Sequence, residues 1–245
     1  MATLPALARV EAPGVEPAAL EARGLRKLYR LSKSNSYEAL RGVDLSLARG
    51  DLAAIVGPSG SGKSTLMNLL ATIDRPTSGT VLVDGVDTST LDDRELARLR
   101  NRKIGLVFQT YNLIGRMTAS ANVALPLVAQ EVPLKERLAR ARAALEEVGL
   151  GHRLDHRPSE MSGGEQQRTA IARALVTRPS ILLADEPTGN LDTANTQAVM
   201  ELLRGIHRAS GLTIAYITHD MSVAREARRI VRIQDGRIGS EEAFA

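Results

Sequence analysis

Residues 57–65 read Gly57-Pro58-Ser59-Gly60-Ser61-Gly62-Lys63-Ser64-Thr65, which matches G-x-x-x-x-G-K-[ST]. No other run restricts the fold as strongly. It follows the apolar stretch LAAIV and opens onto GKSTLMNLLATI, so a buried strand, a glycine loop and a helix are predicted in succession. The glycines let the backbone curl until successive N–H groups face inward, and the helix adds its positive end, which together make a cradle for polyphosphate. Lys63 is placed to meet the β and γ phosphates as a cation, and the Ser64 hydroxyl to hold Mg²⁺. With Gly at 20 and Lys at five of 245 positions, a chance match anywhere in the chain is below roughly one per cent.

A second element, ILLADE at 181–186, is an apolar strand ending in two adjacent carboxylates. Side chains alternate along a strand, so Asp185 and Glu186 are expected to point differently. Asp185 then assists Mg²⁺, and Glu186 reaches the water attacking a γ-phosphate.

Around these motifs the pattern alternates between strand and helix. LEARGLRKLYRL and LRGVDLSLARGD predict antiparallel strands, GTVLVDG a strand, DDRELARLRNRK a polar helix, and IGLVFQ a strand closed by Gln109. Between about Tyr111 and Ser162 the character becomes helical: Leu134, Leu138, Ala141, Leu145 and Val148 recur at three-and-four spacing. Further on, GGEQQRTAIARALVT and ANTQAVMELLRGIHRAS read as helices, SILLADE and LTIAYITHD as strands, and RIVRIQDGRIG as a strand pair about Asp235-Gly236. The expected fold is α/β: a P-loop NTPase core with a mainly parallel sheet, an N-terminal antiparallel β subdomain and a helical insert. Residues 1–19 are expected to form a flexible leader, 20–239 the ATPase domain with its helical subdomain at about 111–162, and 240–245 a C-terminal tail.

Composition removes several alternatives. Zero Cys excludes disulfides, thiolate metal sites and cysteine nucleophiles. A net charge of +4 and 2% aromatic residues give little for nucleic acid to bind. No stretch approaches ~18 uninterrupted apolar residues, so any membrane role is expected to use another chain. The N-terminus lacks a basic n-region and a signal-length apolar run. His152, His156 and His207 have polar neighbours and no metal-ligand spacing, and are read as surface residues.

The family is narrowed by MSGGEQQR at 161–168. Ser162, Gly163 and Gly164 precede a long helix and make a second anion site at a helix start, and one nucleotide already has its cradle. At this point the sequence resembles the ABC ATPase family, whose signature is usually LSGGQ. Met161 replaces Leu with similar volume. Glu165 replaces Gln and adds negative charge near a phosphate site, which weakens the signature contact unless its side chain turns away. VFQTYNLIGRMTASANVALPL and DEPTGNLD look like the group containing MacB, LolD and FtsE.

The resemblance, which runs from about Leu20 to Gly239, implies further roles. Tyr29 is similar to the aromatic that stacks on adenine, Gln109 to the glutamine linking Mg²⁺ and the attacking water to the helical insert, Asp192 to the aspartate following the carboxylate strand, and His219 to the histidine near the γ-phosphate. It also implies ATP and Mg²⁺ as cofactors, an ATP-dependent homodimer sandwiching two nucleotides, and a membrane permease on a separate chain. The chain would then lie in the cytoplasm, peripheral on the inner face of the cell membrane. A soluble ABC ATPase of DNA repair or translation is the alternative. Repair members usually carry a long insertion between the two motifs, here only 99 residues apart from Lys63 to Ser162, and translation members carry two ATPase modules.

Overall fold

The computed structural model describes residues 17–30, 32 and 35–244. Strands β1 (Leu20–Arg30) and β2 (Ser36–Leu47) pair antiparallel, with Tyr29 directly opposite Tyr37. β3 (Leu52–Val56) leads through the glycine loop into α1 (Lys63–Leu70). β4 (Ser78–Val83) and the two-residue β5 (Val86–Asp87) complete a four-stranded sheet of order β2-β1-β4-β5. Helix α2 (Asp93–Lys103) starts from a capping box between Asp92 and Glu95 and delivers the chain to β6 (Ile104–Phe108).

The segment after β6 holds α3 (Ala119–Ala124), a 3-10 turn at Leu125–Val128 and α4 (Leu134–Glu147). Only the C-terminal part of the stripe expected on α4 is buried: Ala141, Leu145 and Val148 are covered, whereas Leu134 and Leu138 are 62% and 44% exposed. The chain then alternates α5 (Gly163–Leu175), β7 (Ile181–Asp185), α6 (Thr193–Ser210), β8 (Thr213–Ile217) and the short α7 (Met221–Ala224). It ends in the hairpin of β9 (Arg229–Gln234) and β10 (Arg237–Ala243). The second sheet runs β10-β9-β3-β8-β7-β6, parallel throughout except for β10.

Each central strand serves two cores because its side chains alternate. Leu52, Ala54 and Val56 of β3 face one hydrophobic cluster with Leu182, Ala184, Ile214 and Tyr216, under α3 to α6. Ala53 and Ile55 face the other, with Ile181, Leu183, Ala215, Ile217 and the apolar side of α1 and β1. Burial on both faces explains the unbroken apolar runs LAAIV, ILLA and TIAYI.

Three expectations are corrected. His207 is buried, 6% exposed, and its Nδ1 lies 3.0 Å from Leu212 O; it stands four residues after buried Leu203, on the apolar face of α6. The stretch expected as a tail from residue 240 is paired as far as Ala243, with Glu241 and Glu242 joined to Arg229 and Arg232. Ala19, assigned to the leader, is fully buried and its carbonyl accepts the Asp84 N–H at 2.9 Å; the leader up to residue 16 lies outside the described residues. Among the described residues no helix is long and apolar enough to cross a membrane.

Candidate active site

Four neighbouring parallel strands finish on one edge. β3 runs into the glycine loop, β8 beside it is followed by Thr218 and His219, β7 by Glu186, and β6 by Gln109. The carboxyl ends of such strands are where open α/β sheets hold ligands.

The loop closes through Gly62, the N-cap of α1, at φ +102, a conformation that a Cβ would strain. Lys63 is only 9% exposed. Its ammonium donates to Gly57 O at 2.8 Å and Pro58 O at 2.7 Å, spanning the loop. Burial lowers its pKa from the ordinary lysine value, and the nearby Glu186 and Asp185 carboxylates oppose that shift.

Burial raises the Asp185 carboxyl above its usual range; a hydrogen bond from the Ser64 hydroxyl opposes this and the neighbouring Glu186 charge adds to it. A serine hydroxyl beside a partly desolvated carboxylate is a set of hard oxygen donors, which fits Mg²⁺. Ser64 and Asp185 would hold it, and when bound it would neutralise phosphate charge.

Glu186 has a different backbone. Its φ is +47, a left-handed conformation costing of order 1–3 kcal/mol for a non-glycine residue. Its N–H still pairs with Ile217 O at 3.1 Å, so the chain reverses without leaving β8. The side chain turns to the His219 ring, with Oε1 3.1 Å from Nδ1. Glu186 and His219 are 33 residues apart in sequence and meet only because β7 and β8 are adjacent.

Gln109 is exposed, and its amide donates to Asn190 Oδ1 at 3.4 Å while Asn190 Nδ2 returns a bond to Gln109 O at 3.0 Å. Between them lies Gly189, where a Cβ would sit 2.9 Å from Gln109 Nε2 and 3.0 Å from Glu186 Oε2. Gly189→Ala is therefore expected to displace two side-chain ends rather than any backbone. The melting temperature should be unchanged while steady-state ATP hydrolysis falls by about 10- to 100-fold, as displacements near 1 Å do; an active Ala variant would show that this contact does not set the geometry.

Tyr29 is half-buried on β1. Its hydroxyl donates to Asp74 Oδ2 at 3.3 Å, and Lys27 Nζ, itself 2.7 Å from Asp74 Oδ1, lies 5.1 Å from the ring centroid. One carboxylate just beyond α1 thus fixes the ring.

The second helix start is built from a capping box. Ser162 Oγ accepts the Glu165 N–H at 3.3 Å, and Glu165 Oε2 accepts the Ser162 N–H at 2.8 Å. Glu165 Oε1 also accepts from Arg153 at 2.8 Å. The Ser162 N–H, with Arg153, holds the carboxyl below its ordinary range. The carboxylate at this position is thereby turned back onto its own helix start and paired with Arg153. Beyond it Asp192 caps α6, accepting the Asn195 N–H at 2.8 Å. Asn195 packs so closely on α5 that a Cβ on Gly164 would lie 2.1 Å from its Oδ1. Arg173 on α5 donates to Tyr111 O and Asn112 O, tying the segment after Gln109 to the signature helix. Sequence reasoning missed Arg153, Arg173, Gly189, Asn190 and Asn195. PTGN stands between the carboxylate strand and Asp192 and could have drawn attention to Gly189 and Asn190, whereas the two arginines carry no local signal.

A cradle, carboxylate and histidine on one strand edge, with a separate glycine-led helix start, define a phosphate-loop ATPase. Within that class the chain belongs to the ABC transporter family, whose description matches residues 40–189. It is 53% identical over 212 residues to an uncharacterized ABC transporter ATP-binding protein of Thermotoga maritima, covering 86% of this chain and 90% of that one. It is 50% identical to the macrolide export ATP-binding/permease protein MacB of Syntrophobacter fumaroxidans over 224 residues, 91% of this chain but 31% of that protein. A dimeric ATP-binding cassette solved in a post-hydrolysis state with ADP and Pi aligns with TM-score 0.85 and 40% identity over 92% of this chain and 99% of that chain. CbiO from Clostridium perfringens, part of a cbiONQ transporter complex, aligns at 0.81 and 30%, covering 93% and 89%.

Proposed function

We propose that the chain is the ATP-hydrolysing subunit of a membrane transporter or force-transmitting machine, working as an ATP-dependent homodimer on a separate permease chain. The observation that carries this reading is the separation of two helix starts suited to phosphate: Lys63 opens one, and Ser162 caps the other. In a head-to-tail dimer the loop of one subunit and Ser162 to Gly164 of the other enclose ATP, with Mg²⁺ on Ser64 and Asp185, and Glu186 accepts a proton from the attacking water while His219 orients it. Tyr29 stacks on adenine, and Gln109 and Asp192 complete the shared face. The dimeric assembly of the similar cassette and the permease joined to the ATP-binding part in MacB support this. The subunit would lie at the inner face of the cell membrane.

A cavity of about 470 Å³ beside Gln109 is lined by Arg100, Phe108, Asn112, Pro126, Ala129 and Arg173. The exposed surface next to this cavity is where a short cytoplasmic helix of the permease would dock. Leu113 and Ile114, which follow Gln109 closely, are half-buried, and Val123 is fully buried. Leu125 and Val128 are 38% and 49% exposed and share one face of the 3-10 turn at three-residue spacing. A Leu125→Glu, Val128→Glu double variant is expected to hydrolyse ATP alone as the parent does and to lose binding to permease-containing membranes together with partner stimulation. Normal co-sedimentation and stimulation would place the docking surface elsewhere.

A further inference from the structure

Tyr37 belongs to none of the motifs above, yet it reaches the phosphate loop. It is 45% exposed on β2, its ring shares a sheet face with Tyr29, and its hydroxyl donates to Gly60 O at 3.0 Å. The next carbonyl, Ser61 O, accepts the Gly236 N–H from the β9–β10 turn at 3.0 Å. Two successive carbonyls are therefore held from outside by two different β elements.

The two halves of a trans peptide point opposite ways, and no cis bond occurs among the described residues. Anchoring Gly60 O and Ser61 O on the β side turns the N–H groups of Ser61 and Gly62 the other way. Ser61 N–H does point across the loop, to Pro58 O at 3.3 Å, the carbonyl that also receives Lys63 Nζ at 2.7 Å. Inward N–H groups are what a polyphosphate cradle needs.

We infer that Tyr37 is a positioning residue for the nucleotide, acting through its hydroxyl on the Gly60 carbonyl to hold the loop open for phosphate rather than by touching the base. The inference rests on the phosphate-loop reading and names a residue that reading leaves out. Gly60 is exposed, so without the tyrosine its carbonyl turns to water and the loop samples more conformations before ligand enters.

The test compares Tyr37→Phe, Tyr37→Ala and Lys63→Ala in the full chain by calorimetric binding of Mg-ATP and of Mg-tripolyphosphate, with steady-state kinetics. Removing one hydroxyl is expected to weaken both ligands alike, by about three- to tenfold. KM for ATP should rise by the same factor and kcat change by less than about twofold. Tyr37→Ala should be no worse than Tyr37→Phe towards tripolyphosphate. Unchanged tripolyphosphate affinity in Tyr37→Phe overturns the inference, as does a loss confined to ATP in Tyr37→Ala, which assigns the ring to the base. Lys63→Ala separates the two levels: if it too binds tripolyphosphate as the parent does, the phosphate-loop reading has failed and not merely the role of Tyr37.

Discussion

Glu186→Gln is expected to bind ATP as tightly as the parent and to hydrolyse it about 10²- to 10⁴-fold more slowly, the range contributed by a general base. The amide keeps the shape of the carboxylate, and its oxygen can still accept from the His219 ring now 3.1 Å away, so the geometry survives. What disappears is the capacity to take a proton from water. The left-handed backbone at Glu186 accompanies the turn of its carboxylate towards the His219 ring. Uncleaved nucleotide that bridges two subunits stabilises the dimer by mass action. Sedimentation should therefore show the variant shifting to dimer on adding ATP, further than the parent does. Phosphate release near the parental rate would remove Glu186 from the role of base, and a variant that binds ATP but stays monomeric at high concentration would sink the sandwich.

What could be read in the sequence, and what could not, divides along a physical line. Apolar runs such as LAAIV and ILLA announce strands buried on both faces because nothing in them is local to a turn, and the Asp235-Gly236 pair, both at positive φ, announces the hairpin by turn chemistry. The order β9-β3-β8-β7-β6 is carried by no short pattern, yet it is what brings His219 to Glu186. Helical spacing overreached at Leu134 and Leu138, because periodicity marks a face and not what covers it. The same spacing was neglected at His207, whose polar neighbours suggested a surface. Ser240 to Ala243 offer no apolar alternation. Their strand rests on backbone pairing and on Arg229 and Arg232, ion pairs that span ten or more residues. The signature carboxylate was a local puzzle with a distant answer, since Arg153 lies twelve residues before Glu165 on a 3-10 turn.

Two inactive variants are expected to restore each other, and this tests whether one site is made from two chains. Lys63→Ala removes the cation from a chain's own loop. Ser162→Arg places a bulky side chain at the exposed N-cap of α5, obstructing the nucleotide held by the partner. Either homodimer then contains two damaged sites. A mixed dimer joins the intact loop of the Ser162→Arg chain to the intact signature of the Lys63→Ala chain, giving one whole site and one damaged on both sides. Equal mixing leaves half the dimers mixed, so if sites act independently about a quarter of the parental rate should return. Strong coupling between sites would lower that figure without abolishing it. The mirror arrangement, a chain bearing both substitutions mixed with the parent, places one defect in each site of the mixed dimer, so only unmixed parental dimers work and about a quarter of the parental rate is again expected. A site complete within one chain predicts instead no recovery in the first arrangement and about half the parental rate in the second. Recovery in the first arrangement therefore requires that Ser162 of one subunit serve the nucleotide held by Lys63 of the other.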